Sequence, residues 1–120
     1  MEISVGHTPD SDDAFMFYGM FTGRVPSPDF KINHVIEDIE KLNRKAINPQ
    51  LDVTAVSVHA CAYIPGYTIL RSGGSFGIGY GPIVTARQQM SIDEIKKCKI
   101  AIPGKMTSAF FVTSIDNWEI

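Results

Sequence analysis

No run of apolar residues approaches the roughly 18 that a membrane-spanning helix needs, and the opening Met1-Glu2-Ile3-Ser4-Val5 lacks the basic and apolar regions of a secretory leader. A cytoplasmic protein without membrane contact is expected. Cysteine is scarce too: the 2 cysteines, Cys61 and Cys98, lie far apart and form no C-x-x-C pair. A disulfide scaffold and a thiolate metal cluster are therefore not expected, and no metal is assigned. Nor is there an excess of charge, because 11 basic against 13 acidic side chains leave a net charge of −2. Nothing in that balance favours nucleic acid or an anionic membrane surface. With 44% apolar and 20% charged residues the chain is ordinary globular material, and 120 residues suit one domain with a small core.

What is present is a repeated strand-and-helix rhythm. Ile3-Ser4-Val5-Gly6 reads as a strand, broken by Thr8-Pro9-Asp10-Ser11 before Ala14, Phe15, Phe17, Tyr18 and Phe21 recur at helical spacing. Asp10 or Ser11 caps this helix, Asp12 and Asp13 complement its dipole, Gly23 ends it, and the aromatic residues are expected in the core. Phe30 to Ile36 alternates as a second strand, and Asp38 to Ala46 follows as a second helix that stops at Asn48-Pro49. Leu51 to His59 is β-branched and apolar, as a buried parallel strand requires. Together these units predict an α/β fold on a parallel sheet.

Further on, Tyr67 to Arg71 and Pro82 to Ala86 are strand-like and flank a glycine-rich loop from Ser72 to Gly81. Ser91 caps a short helix expected from Ile92 to Cys98, and Lys99 to Ile102 starts a last unit that turns at Pro103-Gly104 into a helix at Thr107 or Ser108. One strand and one helix cannot enclose a core, so that unit must pack on the first units, on another chain or on a further segment.

Two motifs fail on inspection. Gly77-Ile78-Gly79-Tyr80-Gly81 is G-x-G-x-G, followed by a strand-like stretch rather than a helix, and is no dinucleotide fingerprint. Gly104-Lys105 is followed by Met106 where a P-loop has Ser or Thr. A more general feature remains: the start of the last helix aims the N–H groups of Thr107, Ser108 and Ala109, with two hydroxyls, at an anion, unless Thr107 or Ser108 merely caps the helix. Ser57 and His59, two apart near the carboxyl end of the third strand, would share one side of the site. His59 is either a base or a hydrogen-bonded structural residue, and His7 with Asp10, Asp12 and Asp13 is expected beside the same cleft. No oriented Ser-His-Asp set is visible.

Several of these strings occur together, in order: Val5 through Tyr18, Glu37 through Asn43, Leu51 through Ser57, Arg71-Ser72-Gly73-Gly74, Gly79-Tyr80-Gly81-Pro82 and Ala101 through Phe110. In this the chain resembles the 1,4-dihydroxy-6-naphthoate synthase family of the futalosine route to menaquinone, from about Ile3 to about Val112. The resemblance implies a periplasmic-binding-protein-like (type II) fold of two lobes, with lobe 1 over 1–88, a linker helix over 89–98 and an incomplete lobe 2 over 99–120. It also implies a cofactor-free carbon–carbon lyase that cleaves cyclic dehypoxanthine futalosine to 1,4-dihydroxy-6-naphthoate. Carried over residue by residue, substrate contacts fall on Ala55, Val56 and Ser57 and on Thr107, Ser108 and Ala109. The family's histidine base has no counterpart here, so no residue is assigned as catalytic. The chain reads as a fragment expected to lack lyase activity by itself.

Two other functions fit the same fold: a non-catalytic binding or sensor domain for a small carboxylate, and the chorismate dehydratase of the same pathway. The run Asp12-Asp13-Ala14-Phe15-Met16-Phe17-Tyr18 favours the naphthoate synthase over the latter. Apolar Phe110, Phe111 and Trp118 would seek cover, which makes a homo-oligomer or a segment exchange a further expectation.

Overall fold

The computed structural model describes residues 1–115. Three parallel strands form its sheet: β1 (Glu2–His7) lies between β2 (Lys31–Ile36) and β3 (Val53–Thr54), in the order β2-β1-β3. Helix α1 (Ser11–Phe21) connects β1 to β2, and α2 (Ile39–Ile47) connects β2 to β3. Successive residues of a strand face opposite sides, which places the two helices on opposite faces. His7 meets Phe17 and Phe21 of α1, while Gly6 faces Leu42 of α2 so closely that a side chain there would collide with Leu42 and Leu51. The expected parallel α/β arrangement is present.

The core lies mainly beneath α2. Val5, Leu42, Ala46, Ala60 and Ile64 are buried, and Val56, Tyr67 and Met106 pack against the Ala46-Ala60-Ile64 cluster. The amphipathic spacing of α2 explains this, because positions 39, 42, 43 and 46 return to one side of the helix. Asp38 caps it, its carboxylate accepting from the Lys41 N–H at 3.0 Å, and that bond holds the Asp38 carboxyl below its usual range.

Helix α1 departs from expectation. Phe15 is 87% exposed and Tyr18 50%, because the face turned to the sheet is the stripe of Asp13, Phe17 and the Phe21 ring. Asp10 occupies the N-cap position without a side-chain capping bond. The buried Asp13 carboxylate instead accepts from the Thr8 N–H at 2.6 Å and the Thr8 hydroxyl at 2.9 Å, tying the helix back to the end of β1.

The third strand is also shorter than its β-branched sequence predicts. It ends after two residues, and the chain turns at Ser57 into the short helix α3 (Val58–Cys61), so Ser57 and His59 do not share a strand face. Tertiary hydrogen bonding decides this: the Ala55 N–H still reaches the Gly6 carbonyl at 2.8 Å, but the Ser57 N–H is taken by Asn43 of α2 at 2.8 Å. No strand forms over 67–71, 82–86 or 99–102, where residues such as Ile69 and Ile83 are mostly exposed. Apolar β-branched residues make a strand only where a neighbour supplies ladder partners.

The later helices form close to the expected places. Helix α4 (Ile92–Ile95) opens with a full capping box between Ser91 and Glu94, but is shorter than 92–98 because its last turn tightens through Lys97 to Glu94 and Cys98 to Ile95 bonds. Helix α5 (Ser108–Ile115) packs on α3, where Phe111 stacks on His59 with ring centroids 4.9 Å apart. The last unit thus touches the first ones through α3, while Phe111 and Val112 of α5 stay exposed. Trp118 lies outside the described residues.

Candidate functional site

The residues expected to hold a ligand come from two stretches separated by about fifty positions, and the structure brings them to one place. Ala55, Val56 and Ser57 lead out of β3 and are half-buried, while Thr107 is buried and Ser108 and Ala109 are half-buried at the start of α5. His59 joins the two edges. Its N–H donates to the Ser108 hydroxyl at 3.3 Å, and its Nδ1 lies 3.2 Å from the Thr107 carbonyl oxygen. A carbonyl only accepts, so this contact is a hydrogen bond in the tautomer that carries the proton on Nδ1. This contact, with the stacking on Phe111, makes His59 the joint between α3 and α5.

Each edge is pinned by helix α2. Asn43, which is 0% exposed, accepts the Ser57 N–H at 2.8 Å and donates from Nδ2 to the Ser57 hydroxyl oxygen at 3.1 Å. One turn earlier, the Glu40 carboxylate accepts the Met106 N–H at 2.9 Å through Oε2, while Oε1 receives Arg44 Nε at 3.0 Å and Nη2 at 2.9 Å. Gly104 passes directly against Glu40, where a Cβ would overlap the carboxylate. Thr107 takes the capping role rather than the anion-holding one: its hydroxyl donates to the Gly104 carbonyl at 2.7 Å and accepts the Phe110 N–H at 3.2 Å, and its own N–H donates to the same carbonyl at 3.2 Å. The Ser108 and Ala109 N–H groups, in the first helical turn, have no acceptor within the helix.

The hydrogen-bond directions set the chemistry of the site. Both serine hydroxyl oxygens are already acceptors, Ser57 from Asn43 and Ser108 from the His59 N–H. Each hydroxyl keeps one proton to donate. Two hydroxyl donors beside first-turn amides suit an oxyanion such as a carboxylate.

His7 does not join this site. It is 2% exposed, stacked on Phe17 at 4.7 Å and edge-on to His34 at 5.9 Å, on the face covered by α1. Desolvation, followed by the neighbouring His7, holds His34 below the ordinary histidine range. Asp10 and Asp13 serve the Thr8 turn, and Asp12 with Phe15 and Met16 lines a separate shallow hollow against Gly73–Phe76. Among the described residues no group of three His, Cys, Asp or Glu is arranged to hold a metal, and no helix is long and apolar enough to cross a membrane.

Sequence reasoning missed Glu40 and Asn43. The available signal was their spacing of three on a helix, which puts both on one side of α2 facing whatever follows β3.

Comparison with known proteins agrees with the pattern of strings. A family described as menaquinone biosynthesis matches residues 3–117. A 1,4-dihydroxy-6-naphtoate synthase from Thermus thermophilus is 39% identical over 114 residues, covering 94% of this chain and 41% of that protein. The enzyme of the same name from Streptomyces coelicolor is 27% identical over 111 residues, covering 92% and 38%. A crystal structure of a protein from Archaeoglobus fulgidus superposes with a TM-score of 0.85 at 48% identity, over 96% of this chain and 42% of that one. The chain therefore spans about two fifths of the length of each relative. On this match the chain belongs to the menaquinone-biosynthesis family.

Proposed function

We propose that this chain provides the carboxylate-holding wall of a lyase that converts cyclic dehypoxanthine futalosine to 1,4-dihydroxy-6-naphthoate in the futalosine route. The observation that carries this reading is the pair of serine hydroxyls, Ser57 and Ser108, each of which accepts one hydrogen bond from the protein, from Asn43 and from the His59 backbone N–H, and keeps its own proton to donate. The relatives named 1,4-dihydroxy-6-naphtoate synthase supply the reaction class.

In this reading residues 1–88 belong to lobe 1 of a periplasmic-binding-protein-like fold, 89–98 link the lobes and 99–120 begin lobe 2. The site lies where Ala55, Val56 and Ser57 meet Thr107, Ser108 and Ala109. Charge-assisted hydrogen bonds from the two hydroxyls and the first N–H groups of α5 orient the substrate carboxylate. The reaction needs no cofactor, and it takes place in the cytoplasm. His59 acts as a structural joint, and the base that takes the proton comes from family residues outside these 120.

Calorimetric titration of the purified chain with 1,4-dihydroxy-6-naphthoate and with its methyl ester tests this. Binding of the acid, weakened by Ser57→Ala and by Ser108→Ala and absent for the ester, is expected. Equal binding of acid and ester would remove the carboxylate from the account.

A further inference from the structure

Helix α2 touches both edges of the site through one pair of side chains. Glu40 and Asn43 stand three residues apart, and each reaches a different edge: Asn43 holds Ser57, and Glu40 holds the backbone at Met106. The Glu40 contact spans 66 residues of sequence and ties a carboxylate that is only 13% exposed to a single N–H. Oε1 is neutralised by Arg44 at 2.9 Å, which leaves Oε2 to accept. Gly104 has no side chain at the point where the carboxylate sits, so backbone and helix approach closely there. The very next residues are the cap Thr107 and the proposed ligand donor Ser108.

We propose that Glu40 is a positioning residue: by fixing the backbone at Met106 it sets the direction in which the Ser108 hydroxyl and the first N–H groups of α5 meet the ligand carboxylate. This rests on the reading of the site given above. Arg44 is part of the device, because an unneutralised Glu40 would repel the anion that the site is built to hold. A glutamine retains the acceptor, so Glu40→Gln separates the role of the hydrogen bond from that of the charge.

The test uses the full chain and combines amide hydrogen exchange by NMR with calorimetric titration of 1,4-dihydroxy-6-naphthoate. In Glu40→Ala the Met106 amide is expected to exchange at least about tenfold faster and the ligand to bind about tenfold more weakly, as for loss of a hydrogen bond to a charged acceptor. Val35 and other sheet amides should keep their protection, and Glu40→Gln should restore both readouts to within roughly threefold of wild type. A general loss of stability would instead speed exchange throughout the sheet in the alanine variant, and that result overturns the proposal. So does wild-type affinity in Glu40→Ala with the Met106 amide freed. If the unmodified chain fails to bind the naphthoate, the reading of the site falls, and the positioning role falls with it.

Discussion

Replacing Asn43 by alanine removes a fully buried side chain and both of its bonds to Ser57, the acceptance of the Ser57 N–H at 2.8 Å and the donation to its hydroxyl at 3.1 Å. Each bond contributes about 1 kcal/mol net, and a backbone N–H left partly buried without an acceptor costs a further ~1 to 3 kcal/mol. The expected loss is therefore about 3 kcal/mol, a large share of the roughly 5–15 kcal/mol by which small domains are stable. Ser57→Ala removes only the hydroxyl contact and should cost about 1 kcal/mol. Equilibrium urea unfolding followed by circular dichroism of both single variants and the double variant completes a cycle, whose coupling should be about 1 kcal/mol. The cycle isolates the bond between the side chains, because the Ser57 N–H bond survives the serine change. A cost below roughly 0.5 kcal/mol for Asn43→Ala, or a coupling near zero, would show that α2 does not hold this edge.

Three other outcomes follow from the same contacts. Asp13→Ala should destabilise the chain by about 2 kcal/mol in thermal or urea unfolding, since it leaves the Thr8 N–H without its buried acceptor and the Thr8 hydroxyl with Asp10 alone. Because the folded state holds His34 below its ordinary pKa, the native chain binds fewer protons there than the unfolded one. The associated stability is complete above the unfolded value near 6.5 and is lost as pH falls from there through the lowered folded value, and His34→Phe should flatten that part of a stability–pH curve. Gly104→Ala forces a Cβ into the Glu40 carboxylate, so it should cost about 1–3 kcal/mol and release the Met106 amide in hydrogen exchange.

Local signals in the sequence account for the elements that local signals control. The strand at β2, the cap at Ser91 and the spacing in α2 are properties of neighbouring residues, and the structure keeps each of them. Where long-range partners decide, the reading diverges. Leu51 to His59 is rich in β-branched residues, but Asn43 takes the Ser57 N–H and ends the strand early. Phe15 and Tyr18 repeat at helical spacing, yet the face of α1 turned inward is set by Asp13, which Thr8 anchors. The same holds for the site. Ser57 and the Thr107-Ser108 pair were legible as polar groups at the ends of elements, whereas the joint at His59 and the clamps at Glu40 and Asn43 depend on partners 14 to 66 residues away.

The central claim is that Ser57 and the start of α5 face one ligand carboxylate together. Amide chemical-shift mapping of the chain during titration with 1,4-dihydroxy-6-naphthoate tests it most directly. The account predicts saturable shifts concentrated at Ser57, Ser108 and Ala109, absent with the methyl ester. Shifts centred instead on the hollow between Asp12 and Gly73–Phe76, or no shifts at Ser57 and Ser108 when the ligand is bound, would contradict it.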